Sequence, residues 1–287
     1  MQYHTRLRRN PFLFRKLTGI TPEKFDALVR ELEQRFDERR KKRLTKKKRQ
    51  RKVGAGRKYQ HSLADRVLML LIWYRTYETY GFIGFLFSCD AATICRNVRE
   101  VEPLLAGIFR IPETEVAMER DEVMAAFFDG TEQQINRPKR KQKEWYSGKK
   151  KRHTVKHLLV VVRKRKHGPQ KRRLRIAAVA RASPGKAHDK TLFDEAAIRL
   201  PAGVSGSGDL GFLGTTLIIP IKKPKGKELT RRQKAHNRNH SRKRICVEHG
   251  IGKMKIWNIL SHRFRSSLSR HTLIFKNVAG FHNLMFA

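Results

Sequence analysis

Acidic residues are scarce in this chain: 25 Asp and Glu stand against 66 Lys and Arg in 287 residues, a formal net charge of +41. A charge so one-sided strains a compact fold by self-repulsion unless a polyanion neutralises it, and nucleic acid is the obvious polyanion. Cysteine is scarcer still. Cys89, Cys95 and Cys246 are odd in number and widely spaced, which argues against a disulfide framework and for a reducing compartment. Long hydrophobic runs are also missing. The longest, Val67–Tyr74, is far too short to span a bilayer, so a membrane is not the expected partner. The opening MQYHTRLRRNPF has none of the apolar stretch of a secretory signal. There is no internal repeat.

Apolar residues make up 39% of the chain, enough for a packed core in one large domain plus a smaller one. Near the N-terminus, Thr21 and Pro22 open a helix whose Phe25, Leu28, Val29, Leu32 and Phe36 form one apolar face. From Arg39 to Lys58 not one acid occurs and apolar residues are few. A run of like charge cannot pack, so it reads as a mobile arm that tracks phosphates, or as a solvated tether. Residues 1–58 are taken as this helix and arm, 59–118 as a second domain and 119–287 as a third.

In the second domain, Ser62-Leu-Ala-Asp65 reads as a capping box before Val67–Trp73. A helix over Glu78–Leu86, a turn at Phe87-Ser-Cys-Asp90 and a third helix from Asp90 to about Pro103 follow, with Ile94, Val98 and Val101 inward. That is the helix-turn-helix pattern, although a plain three-helix scaffold shares its spacing. Opposite the apolar face stand Thr93, Arg96, Asn97 and Glu100, side chains of the kind that read a major groove.

Beyond Glu119 the texture changes to strands. Val123–Phe128 ends at Asp129-Gly130, then His157–Val162 and Leu174–Ala182 read as a hairpin. A helix is expected over Asp189–Arg199, short strands before Asp209 and at Thr216–Ile221, a basic helix bearing Glu248, and a closing helix at His271–Phe286. The fold class is therefore mixed α/β, a mixed sheet flanked by helices, behind an all-α domain. On the basic helix, Arg244 and Lys255 lie roughly 40° and 20° from Glu248 around the axis, at about 100° per residue. A carboxylate between two cations on one face suits metal held beside a phosphate. Asp129, Asp209 and Glu248 are the candidate ligands for paired divalent ions, which clamp the attacking and leaving oxygens of a phosphodiester. Asp189 in KAHDKTLFDE stands where a helix N-cap belongs and is assigned that role over a ligand's. Glu132 either orients water or pairs with a neighbouring cation. Trp145 and Tyr146, with Lys149 close by, either stack on unpaired bases or pack over the hairpin.

At these residues the chain resembles a family. FFDGTEQQI, RPKRKQKEWYSGKKKRHTVK, SPGKAHDKTLF, GDLGFLG and RICVEHGIGKMKIWNIL, in that order, resemble transposases of the DDE superfamily, in the insertion-sequence-5 group that shares its catalytic domain with Harbinger-like nucleases. The resemblance implies a ribonuclease-H-like catalytic domain with Asp129, Asp209 and Glu248 as its acids, and Mg2+ or Mn2+, as two ions, for cofactor. It implies cut-and-paste transposition on element ends and target DNA, by a homodimer or higher assembly, in the bacterial cytoplasm on the nucleoid. Arg244 and Lys255 match the family's phosphate-contacting positions. Where many relatives have a Tyr three residues before the helix Arg, this chain has Ser241.

Overall fold

The computed structural model describes residues 3–45, 59–165 and 174–286, without the side chains of 43 and 44. The chain divides into two compact units, Met1–Arg110 with Trp257–Ile259, and Ile111–Ile256 with Leu260–Ala287.

The first unit is helical: α1 (Tyr3–Arg8), α2 (Pro11–Thr18), α3 (Pro22–Thr45), α4 (Leu63–Thr76), α5 (Tyr80–Leu86) and α6 (Ala91–Phe109). Side-chain oxygens start most of them. Asn10 accepts from Leu13 N, Ser62 from Asp65 N, Thr79 from Phe82 N and Asp90 from Thr93 N, each satisfying a donor that the first turn leaves orphaned. The Asp65 carboxylate does not return to Ser62 as a capping box would require; its Oδ1 takes the His4 backbone N and lies 2.8 Å from His4 Nδ1. Gly19 ends α2 at φ 75°, and the Trp257 ring lies so close that a Cβ there would be 2.7 Å from it. Phe25, Leu28, Val29, Leu32 and Phe36 are buried, as are Ile94, Val98 and Val101.

Other expectations change in this unit. α3 does not stop at Glu38 but continues to Thr45, so the first part of the basic run is helix; residues 46–58 lie outside the described residues. Arg, Lys and Leu are good helix formers. Adding them to a helix already nucleated by packing outweighs like-charge pairs worth a few tenths of a kcal/mol each. Pro103 lies inside α6 rather than near its end. α1 and α2 had no counterpart in the periodicity.

The second unit holds β1 (Val123–Gln134), α7 (Gln142–Trp145), β2 (Tyr146–Ser147), β3 (Arg152–Lys164), β4 (Leu174–Val179), β5 (Ser183–Pro184), α8 (Asp189–Ala196), β6 (Gly206–Ser207), α9 (Arg231–Met254) and α11 (His271–Phe286), with the one-turn α10 (Asn258–Ser261) between the last two. β1 and β4 both pair antiparallel with β3, and β6 joins β1 in parallel. β2 and β5 add two-residue pairings to the N-terminal part of β3. One face carries Ala126, Phe128, Leu158, Val160 and Val162, packed with Leu192 of α8 and Phe212. On the other, a Cβ at Gly250 of α9 would be in ordinary contact with Val161 and Ile176, and Asn283 of α11 bonds both Ile176 N and O at 2.8 Å. A mixed sheet flanked by helices is the fold class expected, and the structure adds its order, with the parallel strand β6 beside β1.

Three details differ. β1 runs on to Gln134, so Asp129 lies within the strand and does not end it. Residues 216–221 form only a bridge, Ser207 to Ile218. α8 stops at Ala196, where Ala197 turns left-handed at φ 45°.

Candidate active site

Strand register brings the first two acids together. β1 pairs with β6 at Ala126–Gly206 and Phe127–Ser207, in parallel. Two residues further along both chains stand Asp129 and Asp209, at one level and with one parity, on segments that enter about 4.8 Å apart. Asp209 leaves the strand by accepting from Gly211 N at 2.8 Å, which starts a 3-10 turn over Leu210–Phe212.

α9 supplies the next group. Arg244 Nη2 lies 3.8 Å from Asp129 Oδ1, and both side chains are largely buried. The Arg244 Nε is buried with no hydrogen-bond partner among the described residues, so the guanidinium is held at this carboxylate without being fully satisfied there. Glu248, one turn further along, is exposed and forms no ion pair or hydrogen bond among the described residues. The simple alternative, an Arg244–Glu248 pair on a solvated face, is therefore not what forms. Arg N-terminal to Glu is also the weaker order for such a pair.

Burial pushes the Asp129 carboxyl up from 3.8 to about 6; Arg244 opposes this, and the neighbouring Asp209 and Asp189 reinforce it. Asp189 thus belongs to the site, which corrects its assignment as a cap. His188 occupies the N-cap of α8, without a side-chain cap bond, and Asp189 is the first helical residue. Its carboxylate fits where Gly130 and Gly211 have no side chains. A Cβ on Gly130 would collide with Asp189 Oδ1, and one on Gly211 would lie 2.7 Å from Asp189 Oδ2 and 2.9 Å from Asp209 Oδ1. Lys156 Nζ sits 2.8 Å from Asp189 and 3.8 Å from Glu132, and it donates to Ala187 O. Glu132 also accepts from Thr154 Oγ1 at 2.9 Å, so its role is to pair with a cation and a hydroxyl. Lys156 was missed by sequence reasoning. Its signal was a lysine inside an apolar strand, since lysine is almost never buried unpaired.

Asp129, Asp189 and Glu132 thus share two cations, Arg244 and Lys156, with Asp209 alongside. In a chain of net charge +41 this local surplus of carboxylate suits a hard divalent cation, which takes oxygen ligands. Among the described residues, no three His, Cys, Asp or Glu side chains converge closely enough to hold a metal ion. The oxygen donors of Asp129 and Asp209 suit such an ion in kind, but Glu248, exposed on α9, is not brought together with them.

The remaining candidates are dispersed. Lys255 caps the C-terminal end of α9 and borders a cavity of about 10 Å3 beside Glu132 and Thr131. Trp145 ends α7, Tyr146 begins β2 and Lys149 lies in the turn between β2 and β3. Tyr146 is 41% exposed, with its ring edge-on to His153 at 5.6 Å. Glu144 O accepts from Lys186 N, tying α7 to the loop that leads into Asp189.

In the helical unit, Arg96 is exposed and donates to Thr93 Oγ1 at 3.1 Å. Asn97 departs from expectation: it is buried, accepts from Arg66 Nε at 2.9 Å and donates to Met69 Sδ. Arg66, 2% exposed, also binds Glu100 at 2.6 Å. A buried guanidinium needs acceptors, and Asn97 and Glu100 supply them, so Asn97 is removed from the outward face. No helix among the described residues is long and apolar enough to cross a membrane.

Residues 128–283 match the family described as DDE superfamily endonuclease, and residues 62–110 match the helix-turn-helix of DDE superfamily endonuclease. The chain is 32% identical over 278 residues to a "Probable transposase for insertion sequence element IS702" from Microchaete diplosiphon, covering 94% of this chain and 93% of that protein. It is 26% identical over 270 residues to a "Putative transposase for insertion sequence element IS112" from Streptomyces albus G, covering 93% and 92%. No solved structure matches the chain.

Proposed function

The chain belongs to the DDE superfamily endonucleases, and we propose that it is the DNA transposase of an insertion sequence, binding that element's inverted ends and cutting and joining DNA there. The observation that carries this reading is the register that sets Asp209 beside Asp129, with Arg244 reaching Asp129 from the helix that bears Glu248. Names of relatives matched over nearly the whole length support it.

The superfamily uses divalent metal ions, and we assign Mg2+ or Mn2+, as two ions, to Asp129, Asp209 and Glu248. Bound there, such ions polarise a phosphodiester and lower the pKa of water. The chain's own residues do the rest. Asp129 and Asp209 present oxygens from two adjacent strand segments, a rigid placement. Arg244 opposes the burial that raises the Asp129 pKa and, one turn from Glu248, would be placed to meet a phosphate. Asp189 and Lys156 buttress the sheet under Gly130. Arg96 and Thr93 at the start of α6 are proposed to read bases; Trp145, Tyr146, Lys149 and Lys255 are proposed to contact DNA near the cut. Synapsis of two ends calls for a homodimer or larger assembly, and the setting is the bacterial cytoplasm.

The test is an assay on linear DNA carrying candidate ends, with Mg2+, scored for both cutting and joining. Both products are expected. Binding without cutting would make the protein a regulator, and cutting without joining would make it a nuclease of the same fold.

A further inference from the structure

The helical extension of α3 creates a cationic cleft in the first unit. It measures about 550 Å3 and is lined by Phe36, Arg39, Arg40 and Tyr59 on one side and by Thr93, Arg96, Arg99 and Glu100 of α6 on the other. The only carboxylate among the described residues that line it, Glu100, is bound to Arg66 at 2.6 Å. Arg39, Arg40 and Arg99 form no ion pair among the described residues. Arg40 is instead laid over the Tyr59 ring at 5.4 Å, and Arg66 lies over the same ring at 4.5 Å. The aromatic ring and the Arg66–Glu100–Asn97 network form a fixed floor, from which unneutralised guanidinium groups face the opening.

We propose that this cleft grips the sugar–phosphate backbone of the duplex that α6 enters. The inference rests on the proposed reading of the protein as DNA-binding, and adds a second contact to it. A helix seated in a major groove has a phosphate wall beside it, and a neighbouring helix commonly crosses that wall. Guanidinium is the group best matched to phosphate, because its planar fork donates two parallel hydrogen bonds. Three such groups with no acid to satisfy them, next to the exposed Arg96, fit a run of consecutive phosphates. Sequence information would then come from Arg96 and Thr93, while Arg39, Arg40 and Arg99 add affinity without preference.

The experiment uses the full chain in fluorescence anisotropy titrations, across salt, with a duplex carrying the element's end and a scrambled duplex. Arg40→Gln and Arg99→Gln keep good helix formers; Arg30→Gln removes an equal charge from an exposed position of α3 outside the cleft. Each cleft variant is expected to weaken both duplexes by the same factor and flatten the slope of log K against log salt by about 0.9. Arg30→Gln should change neither. Cleft variants that behave like Arg30→Gln, or that lose only the end duplex, would overturn the proposal. A wild-type protein with no preference for the ends would instead count against the transposase reading, and the salt slopes would still decide the cleft.

Discussion

Replacing Asp129 by Asn should stabilise the metal-free protein while destroying its cutting activity. The Asp129 carboxyl titrates at about 6 in the fold against 3.8 outside it. At about 1.36 kcal/mol per pH unit, keeping it ionised at neutral pH costs about 3 kcal/mol. Asn removes that cost, and the attraction to Arg244, 3.8 Å away, is already contained in it because Arg244 is one of the groups that set the shift. The net gain is about 2–3 kcal/mol, or roughly 4–12 °C in Tm for a domain of this size. The sign with pH follows from the folded pKa lying above the unfolded one. Between about 4 and 6 the folded wild type binds more protons than the unfolded chain, so its stability rises as pH falls. The advantage of Asp129→Asn should therefore be complete above pH 6 and fade toward pH 4. Thermal unfolding by circular dichroism in EDTA, at pH 7.5 and 4.5, measures it. Adding Mg2+ at pH 7.5 should raise the wild-type Tm and leave the variant unmoved. A variant less stable than wild type at pH 7.5, or a gap that ignores pH, would refute the electrostatic argument.

Other residues separate support from recognition. Asn97→Ala should lower stability by about 1–3 kcal/mol, since Arg66 Nε loses a buried acceptor; a Tm within error of wild type would return Asn97 to the surface. Arg96→Ala should keep the fold and lose about 1–3 kcal/mol of preference for element ends over scrambled DNA, and an equal loss on both duplexes would make it a phosphate contact. Asp189→Asn should slow cutting and cost about 1–3 kcal/mol, because Lys156 loses its nearest carboxylate and keeps the Ala187 carbonyl and the more distant Glu132. Unchanged cutting and stability would restore Asp189 to a helix start alone.

What was legible in the chain was mostly local. Ser62 and Asp90 oxygens act on amides three residues on, and the α3 and α6 apolar faces repeat with the helical period, so neighbouring residues sufficed. The mixed sheet and its acids were legible because Asp129 and Asp209 each interrupt apolar or glycine-rich runs. What escaped depends on partners far along the chain. Asp189 looks like any helix-opening aspartate until Gly130 and Gly211 are seen to leave it room. Asn97 has the period of an outward residue, but Arg66, buried in α4, draws it in. β6 is two residues long and is a strand only because β1 lies next to it. The end of α3 was misread because a run of one charge was equated with an unfolded one, although propensity carries it at least to Thr45.

The claim that Asp129, Asp209 and Glu248 form one metal site is tested most directly by a crystal structure of the protein with Mn2+ and end DNA, using anomalous scattering to locate the ion. The account predicts manganese between Asp129 and Asp209, with Glu248 drawn in as a ligand and Arg244 turned from Asp129 to a phosphate. Manganese held elsewhere, or bound with Glu248 still in solvent and Arg244 still on Asp129, would contradict it.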